Sequence, residues 1–519
     1  METGEEVDNK DNAIYKKLES NNLISYKINN NNQIDKNFKL NEKEEKCFST
    51  LINILKKNNL NSIICRVAGG WVRDKLLGKE CDDIDITIND MKGSEFAKLI
   101  NDEINPNQSK FGIFQQNLKK EKNIEVSNIE LFNTSIDIVN LRCENINNIG
   151  TPLSDAEYRD ITINSLFYNI NEQKVEDFTQ KGINHLEKGI IATPLEPEIT
   201  LNYQSYFIIL RILRFAVKFK FVVDNNLNNY IEKNSEIIKN KFYEKIANER
   251  IGKELLKIIS DNNSAFAISY LYSFNILDII FLIRNYDTKN KYDKIYLKIT
   301  NLYILGEYLY KKEKLLDIEI GEDNFNKINY SLLLLTLYFR GFKKNGASLS
   351  QQIIKHTYKL GFAYQNIIYL IFKNFDNLFN IINQGNFDRL NIGKIIRKIT
   401  YNNIIPILYL LISYEYIEKN ELNSILNEIN NDALQIIISK YKIFLNYLIE
   451  EDMLHLDQIQ PLLKGKEIID ILNIKSNKEI QILNEFLIEE QIKNPKLNKI
   501  EAMELLKKKK NEITSNNIK

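Results

Sequence analysis

Two short stretches of alternating polar and apolar residues mark the first third of the chain. Residues 83–88 read Asp-Ile-Asp-Ile-Thr-Ile, which places Asp83 and Asp85 on one face of a strand and the isoleucines on the other. Residues 135–142 alternate in the same way and carry Asp137 on one face. The pattern therefore predicts two β-strands that each present carboxylate side chains on a single face.

From residue 200 onward the pattern changes to the spacing that is typical of helices. Apolar residues recur three and four positions apart, and the 519 residues include only 18 Gly and 7 Pro, so helix breakers are few. Residues 1–40 are polar, rich in Asn and without periodicity, and we predict that they are disordered. The sequence thus predicts an α+β head followed by an all-α remainder.

The first alternating stretch follows a glycine pair and a short predicted helix. Gly69 and Gly70 lack a Cβ, so their backbone N–H groups can approach a ligand closely. Residues 71–77 then begin a helix whose N-terminal amides favour an anion, with Arg73 in the first turn within reach of a phosphate. Two carboxylates beside such a phosphate site suit Mg²⁺ and in-line phosphoryl transfer. Each piece alone is more often a turn or a solvated edge, and the ordered set carries the prediction.

Asp137 has two interpretations. If its strand pairs beside the first strand, Asp137 is a third carboxylate for a metal. The alternative is an ordinary half-exposed strand residue, and periodicity alone does not separate the two.

A second polar group follows at Arg159, Asp160 and Asn164, set among apolar residues. An arginine for phosphates with an acid or amide for ribose hydroxyls would suit a nucleotide site. The alternative is a helix cap with surface charge. Further along, Arg211 and Arg214 lie on one face of a predicted helix.

Charge and cysteine content limit the classes of function. Lys and Arg number 70 against 69 Asp and Glu, a net charge of +1, so any nucleic-acid site must be a local patch. The four cysteines include no CxxC, which disfavours structural zinc and suits reduced intracellular thiols. No signal peptide or membrane-spanning run is apparent. We expect an intracellular, cytoplasmic protein without a membrane partner, a mitochondrial or nuclear pool being the alternative.

Taken together, these stretches resemble the motifs of the eukaryotic-type class II tRNA nucleotidyltransferases, the CCA-adding enzymes of the polymerase-β-like superfamily. GGWVRDKLLG followed by DID resembles the first motif, RDITIN at residues 159–164 the second, and ERIGKEL at residues 249–255 the fifth. Residues 204–216 lie where the nucleotide-selecting helix belongs. The likeness is strong over residues 41–270 and loose in the tail.

This resemblance implies a polymerase-β-like head with a mixed sheet, followed by a helical neck, body and tail. The implied divisions are a disordered segment at 1–40, the head at 41–195, the neck at 196–270, the body at 271–450 and an RNA-binding tail at 451–519. The implied reaction adds C, C and A from CTP and ATP. The 3′-hydroxyl of tRNA attacks the α-phosphorus and pyrophosphate leaves, while the helical parts hold the acceptor arm.

The resemblance also implies roles for single residues. Asp83 and Asp85 would bind two Mg²⁺ ions and carry catalysis, with Asp137 as a further catalytic carboxylate. The implied nucleotide-binding residues are Gly69, Gly70, Arg73, Arg159, Asp160, Asn164, Arg211 and Arg214.

The main departure lies in the fourth motif, (E/D)DxxRxxR, whose Asp and first Arg read the base edges in this family. The aligned residues here are Gln204, Ser205, Ile208 and Arg211. Smaller departures are Tyr158 and Ala192 in place of arginines and His185 in place of an Asp. Each lost base-reading pair removes roughly 1–3 kcal/mol of discrimination.

Three functions are compatible with these departures. The chain adds CCA with other base-reading side chains such as Gln204 and Arg211, or transfers nucleotides with altered selectivity, such as partial CC or A addition or poly(A)-type extension. The third alternative is a catalytically inactive RNA-binding paralogue. The retained Asp83 and Asp85 favour an enzyme.

Overall fold

The computed structural model describes most of the chain, in two compact units. The units comprise Met1–Arg284 and Asn285–Lys519. The described residues are 32–104, 126–143, 149–281, 289–312, 316, 327–344, 347–420, 422–426, 428–474 and 477–516.

A six-stranded mixed sheet forms the framework of the first unit. Its strands are β1 (Cys65–Ala68), β2 (Ile84–Ile88), β3 (Val126–Leu131), β4 (Thr134–Asn140), β5 (Phe167–Asn169) and β6 (Lys174–Glu176). In the order β3-β4-β2-β1-β5-β6, strands β2 and β4 run parallel and the other neighbouring pairs run antiparallel. The predicted mixed sheet and α+β class are confirmed, although β2 begins one residue after Asp83.

Helices surround the sheet and continue beyond it. They are α1 (Glu42–Lys57), α2 (Gly70–Leu76), α3 (Gly93–Ile104), α4 (Pro152–Glu157), α5 (Gly182–Lys188), α6 (Pro197–Gln204), α7 (Ile208–Phe219), α8 (Asn225–Lys233), α9 (Ser235–Lys245), α10 (Asn248–Ile259) and α11 (Ser264–Ser273). Two short strands, β7 (Ile190–Ile191) and β8 (Val222–Val223), pair in parallel near the end of α7. The helical region after residue 200 is thus confirmed, and α2 begins at Gly70, one residue earlier than predicted.

The short helix α2 is fixed to α1 by a buried acid. Glu44 closes a capping box with Asn41 at the start of α1 and is only 2% exposed. Its carboxylate accepts a hydrogen bond from Trp71 Nε1 at 3.0 Å and pairs with Lys75 Nζ at 3.1 Å. Because a buried charge is costly unless it is paired, these contacts hold α2 in one orientation on the sheet.

Residues 32–40 are ordered against the head, contrary to the predicted disorder of residues 1–40. Phe38 packs edge-to-face on Trp71 with ring centroids 5.6 Å apart, and it also contacts Tyr168 at 5.3 Å. The Asn32 backbone N–H donates to the Glu187 carbonyl at 2.7 Å. Ile34 and Leu40 are half-buried as well, so apolar contacts and backbone hydrogen bonds together order this segment. Residues 1–31 lie outside the described part of the chain.

The second unit is built of helices, with a small hairpin. Its helices are α12 (Lys289–Lys311), α13 (Lys327–Thr336), α14 (Leu349–Gln352), α15 (Phe362–Gln384), α16 (Arg389–Ile399), α17 (Tyr401–Asn420), α18 (Asn431–Glu450), α19 (Gly465–Leu472), α20 (Asn477–Lys493) and α21 (Lys499–Asn516). The hairpin pairs β9 (Lys343–Lys344) with β10 (Ala347–Ser348). The finer divisions at residues 195, 270 and 450 stay predictions.

Membrane-spanning potential is low among the described helices. None of them is long and apolar enough to cross a bilayer by itself. One bent pair, Arg389–Ile399 with Asn403–Asn420, meets the length and composition requirement only when both helices are combined. The apolar side chains of this pair, such as Ile392, Leu408 and Leu411, are buried in the protein.

Candidate active site

Parallel pairing of β2 and β4 brings two of the predicted carboxylates side by side. Asp85 is the register partner of Asp137, and neighbouring strands lie about 4.8 Å apart. Asp83 precedes β2 and is exposed, while Asp85 and Asp137 are half-buried. The condition that would make Asp137 a third carboxylate, pairing beside the first strand, is therefore met. We refer to Asp83, Asp85 and Asp137 as the carboxylate edge.

The carboxylate edge concentrates negative charge. Partial burial, the neighbouring Asp83 charge and, more weakly, Asp137 raise the pKa of Asp85 to about 6, although Arg159 and Arg142 act in the opposite direction. Asp137 accepts a hydrogen bond from Asn128 Nδ2 at 2.7 Å, which fixes its orientation. Within the described ranges, Asp83 and Asp85 form no ion pair at 4.0 Å or less.

The donor set of this edge suits a hard cation that keeps other ligands. Carboxylate oxygens are what Mg²⁺ prefers, and Mg²⁺ commonly binds through one or two carboxylates together with water and phosphate oxygens. The described residues hold no group of three or more His, Cys, Asp or Glu side chains that could by itself hold a metal ion. The edge therefore fits a metal whose coordination is completed by substrate and water, and it does not fit an all-protein cage.

Gly69 is required by its backbone conformation and by a close neighbour. Its φ is +81°, and a Cβ at this position would lie 2.6 Å from Arg159 Nη1. Arg159 is held there by two bonds to the Asp155 carboxylate, at 2.8 and 3.1 Å, and donates to the Asn164 carbonyl at 3.1 Å. The glycine pair thus admits a guanidinium close to the backbone at the start of α2.

Arg73 is committed to contacts within the protein. It is 4% exposed, pairs with Asp74 at 2.8 Å and donates to the side-chain oxygen of Asn164. Its guanidinium also lies over the rings of Phe219 and Phe215 of α7, at 4.7 and 5.2 Å from their centroids. The predicted phosphate ligand is therefore buried between the head and α7.

A continuous chain of hydrogen bonds extends from Arg73 to α7. Asn164 Nδ2 donates to Asp160 Oδ1 at 3.1 Å, and Arg211 Nε and Nη2 both donate to Asp160 Oδ2, at 2.8 and 2.5 Å. The Ile161 backbone N–H donates to Asp160 Oδ1 at 3.0 Å. We call Arg73, Asn164, Asp160 and Arg211 the junction network. Since a carboxylate offers about four acceptor positions, Asp160 is saturated by protein donors.

The pKa of Asp160 reflects this saturation. Burial raises the pKa, but the Arg211 charge and the hydrogen bonds from Arg211, Asn164 and Ile161 outweigh burial and hold the pKa at about 2. The Asp160 carboxylate in turn raises the pKa of Arg211. Both groups remain ionised as a pair across the physiological range.

Comparison with known proteins finds relatives of this chain. Residues 65–192 match the model of the poly A polymerase head domain. A Candida glabrata protein named CCA tRNA nucleotidyltransferase, mitochondrial, is 28% identical over 85% of this chain and 90% of its own length. The Saccharomyces cerevisiae protein of the same name is 27% identical over 86% and 88%. The chain is thus similar to class II tRNA nucleotidyltransferases over most of its length.

Solved structures of CCA-adding enzymes have the same fold as this chain. A CCA-adding enzyme in complex with CTP matches 90% of this chain and 95% of its own, with a TM-score of 0.61 and 19% identity. Nucleotidyltransferases of this family are metal-dependent, which agrees with the chemistry of the carboxylate edge.

The family's base-reading positions are altered in structure as well as in sequence. Ile208 is 3% exposed and belongs to the core, so it cannot reach a ligand. Ser205 has a φ of 77° and ends α6, and its Oγ accepts the Phe207 N–H at 3.3 Å. Arg211 is occupied by Asp160, and Arg214 pairs with Glu254 of α10. Of the predicted nucleotide-binding arginines, Arg211 thus joins the junction network and Arg214 lies outside it.

Two of the smaller departures, His185 and Ala192, have local structural roles in this chain. His185 Nδ1 lies 2.9 Å from Thr162 Oγ1, and burial lowers the pKa of its imidazole. Ala192 is buried, and its carbonyl accepts the Thr162 N–H at 2.9 Å. Both substitutions therefore occupy packed positions beside the short turn that carries Asn164.

Sequence reasoning missed Arg142 and Asp155. Asp155 binds Arg159 and accepts the Arg142 backbone N–H at 3.2 Å, and the charge of Arg142 helps to lower the pKa of Asp85. Together they connect the carboxylate edge with the junction network. The available signal was the spacing of Asp155, four residues before Arg159, which favours an ion pair on a helical turn.

Proposed function

We propose that this protein adds C, C and A to the 3′ ends of tRNA, using CTP and ATP in a metal-dependent phosphoryl transfer. The observation that carries the proposal is the side-by-side placement of Asp85 and Asp137, with Asp83 close by, in a head that matches the poly A polymerase head domain. A partly buried group of like charges is costly for a fold, and a cation that binds there offsets that cost.

In this proposal Asp83 and Asp85 hold Mg²⁺, and Asp137 completes the acidic side of the site. When bound, Mg²⁺ would stabilise the negative charge that develops on phosphate oxygens. The chain itself contributes orientation: Asn128 fixes Asp137, and Asp155 fixes Arg159. Arg159, backed by Gly69, would neutralise the triphosphate beside the carboxylate edge.

The junction network takes a supporting role in the proposal. Arg73 is buried and bound to Asp74 and Asn164, and Asp160 is saturated by protein donors, so they position α2 and α7 and leave direct ligand contact to other groups. Gly70 is the first residue of α2. Contact of Asp160 or Asn164 with a ribose hydroxyl would require the Asp160–Arg211 pair to open.

A nucleotidyltransferase with altered base selection is the second candidate. The burial of Ile208 and the pairing of Arg211 favour it, because Ile208 has no polar side-chain atom and Arg211 has its Nε and an Nη2 donor bound to Asp160. Partial addition of CC or A, or poly(A)-type extension, would follow from such a site.

One assay separates the candidates. The purified protein is given Mg²⁺, tRNA that lacks its CCA end and each of the four labelled nucleotides in turn. CCA addition predicts incorporation of CTP and ATP only, whereas comparable rates with UTP or GTP indicate altered selection. No incorporation by folded protein would remove the enzyme proposal and leave RNA binding without catalysis.

The remaining parts of the proposal concern partners and place. The neck, body and tail would hold the tRNA acceptor arm by its backbone and shape. We propose that part of the protein is mitochondrial and part cytoplasmic, because the two yeast relatives described above are named as mitochondrial. Fractionation of cells that carry the tagged protein tests this point.

A further inference from the structure

Two tyrosines, Tyr158 and Tyr203, form an aromatic pair at the end of α6, in which Tyr158 is half-buried and Tyr203 is exposed. Tyr203, in the last turn of α6, is 49% exposed, and its ring centroid lies 5.1 Å from that of Tyr158 at an interplanar angle of 53°. Within the described part of the chain, the Tyr203 hydroxyl makes no hydrogen bond. A large aromatic ring that leaves half of its surface in water contributes only part of its burial energy to the fold.

The position of the pair relates it to the nucleotide site. Tyr158 immediately precedes Arg159, which packs against Gly69, and the Tyr158 carbonyl accepts a hydrogen bond from Arg142 Nη1 at 3.4 Å. Tyr203 lies two residues before Ser205, where the chain breaks between α6 and α7. The pair therefore links the residue that precedes Arg159 to the end of α6, which leads into the altered base-reading segment.

We infer that Tyr158 and Tyr203 form a stacking platform for a nucleobase; this inference rests on the proposed function and names a residue pair that binds its substrate. Base–aromatic stacking depends little on base identity because every base has a π-face. The platform would supply affinity without reading base edges. It would thus hold a nucleobase beside a helix in which Ile208 is buried and Arg211 is paired.

The nucleobase has two sources, the incoming nucleotide and the terminal nucleotide of the RNA. They share the same flat aromatic chemistry, so the structure of the pair does not distinguish them. Separate binding measurements with each ligand do.

The test compares the variants Tyr203→Leu and Tyr203→Phe in the full chain. Leu keeps an apolar contact with Tyr158 but removes the π-face, whereas Phe keeps the ring. Phe132→Leu is the matched control, because Phe132 is a similarly exposed aromatic residue, 41% exposed, in the turn between β3 and β4. Dissociation constants are measured by equilibrium titration with CTP and ATP without RNA, and with tRNA that ends before or within CCA.

We expect Tyr203→Leu to weaken one class of ligand by about 5- to 150-fold, by a similar factor for each base, with Tyr203→Phe and Phe132→Leu near wild type. Loss with free nucleotides identifies the incoming base, and loss with tRNA alone identifies the terminal one. Unchanged affinities in Tyr203→Leu, or equal losses in Tyr203→Leu and Tyr203→Phe, would overturn the inference.

Two further measurements keep the result interpretable. The thermal midpoint of each variant reports the fold, and Tyr158→Leu serves in place of Tyr203→Leu if that variant unfolds. Nucleotide incorporation by the wild type tests the proposed function separately. A wild type that binds nucleotides through Tyr203 but does not incorporate them would refute the proposed function and leave the platform standing.

Discussion

The carboxylate edge and the junction network lie in the same unit, but the pKa of an aspartate is raised in the first and lowered in the second. At the edge, Asp83, Asp85 and Asp137 crowd together and the pKa of Asp85 rises to about 6. In the network, four protein hydrogen bonds hold the pKa of Asp160 at about 2. Under the proposed function, the first region keeps its carboxylates for a ligand, and the second uses its hydrogen bonds to hold the fold.

The largest expected effect comes from removing charge at the carboxylate edge. Asp85→Asn or Asp83→Asn should lower nucleotide incorporation on the order of 10³-fold, because several kcal/mol of transition-state stabilisation would be lost. The free energy of unfolding should stay the same or rise, since like-charge repulsion is relieved. Single-turnover incorporation and urea unfolding measure the two quantities.

Glu130→Gln, an exposed acid on β3, is the matched control for these variants and should leave incorporation unchanged. Binding of tRNA should be largely retained in Asp83→Asn and Asp85→Asn. Wild-type incorporation in both variants would refute the metal assignment.

The junction network predicts that the free energy of unfolding falls as the pH is lowered. The pKa of Asp160 is about 2 in the folded protein, against about 3.9 for an unfolded chain. Its contribution, at most about 2.5 kcal/mol, is therefore present above pH 4 and lost as the pH falls toward 2. Urea unfolding between pH 5 and pH 2 should show a steeper loss in the wild type than in Asp160→Asn.

Arg211→Gln provides a second variant for the same measurement. It removes the guanidinium that holds the Asp160 carboxylate ionised, so it should reduce the pH dependence as Asp160→Asn does. Wild-type pH dependence in both variants would show that the network is not the source of acid sensitivity.

A smaller effect on stability is expected at Gly69, which packs against Arg159. Gly69→Ala should cost about 2 kcal/mol of unfolding free energy, because its backbone conformation is nearly restricted to glycine and the new methyl group would displace Arg159. Gly78→Ala, with a φ of +68° and open space around it, should cost about 1 kcal/mol. Incorporation should fall in Gly69→Ala alone, and equal behaviour of the two variants would contradict the role of Arg159.

The sequence was sufficient for features that depend on local periodicity. The alternating residues around Asp85 and Asp137 predicted both strands, and their pairing follows from the register of one parallel ladder. The helical character of the chain after residue 200 was predictable for the same reason.

Features that depend on distant partners were not predictable. Arg73 and Arg211 were predicted to bind the nucleotide because a sequence shows their charge and not the distant Asn164 and Asp160 that they meet in the fold. The ordering of residues 32–40 rests on contacts with distant residues, including those of Phe38 with Trp71 and Tyr168 and the backbone hydrogen bond of Asn32, which no local pattern reveals. The same composition elsewhere would remain without structure.

The parallel register of β2 and β4 has a consequence for how this protein tolerates inherited change. Asp85 and Asp137 meet because the two strands are aligned, so the length of the chain between the strands is not what sets their separation. Insertions in that connection are expected to be selectively neutral far more often than a one-residue deletion inside β4. A deletion that shifts Asp137 would place Ile136 or Ile138 opposite Asp85 and turn the shifted side chains to the other face of the strand.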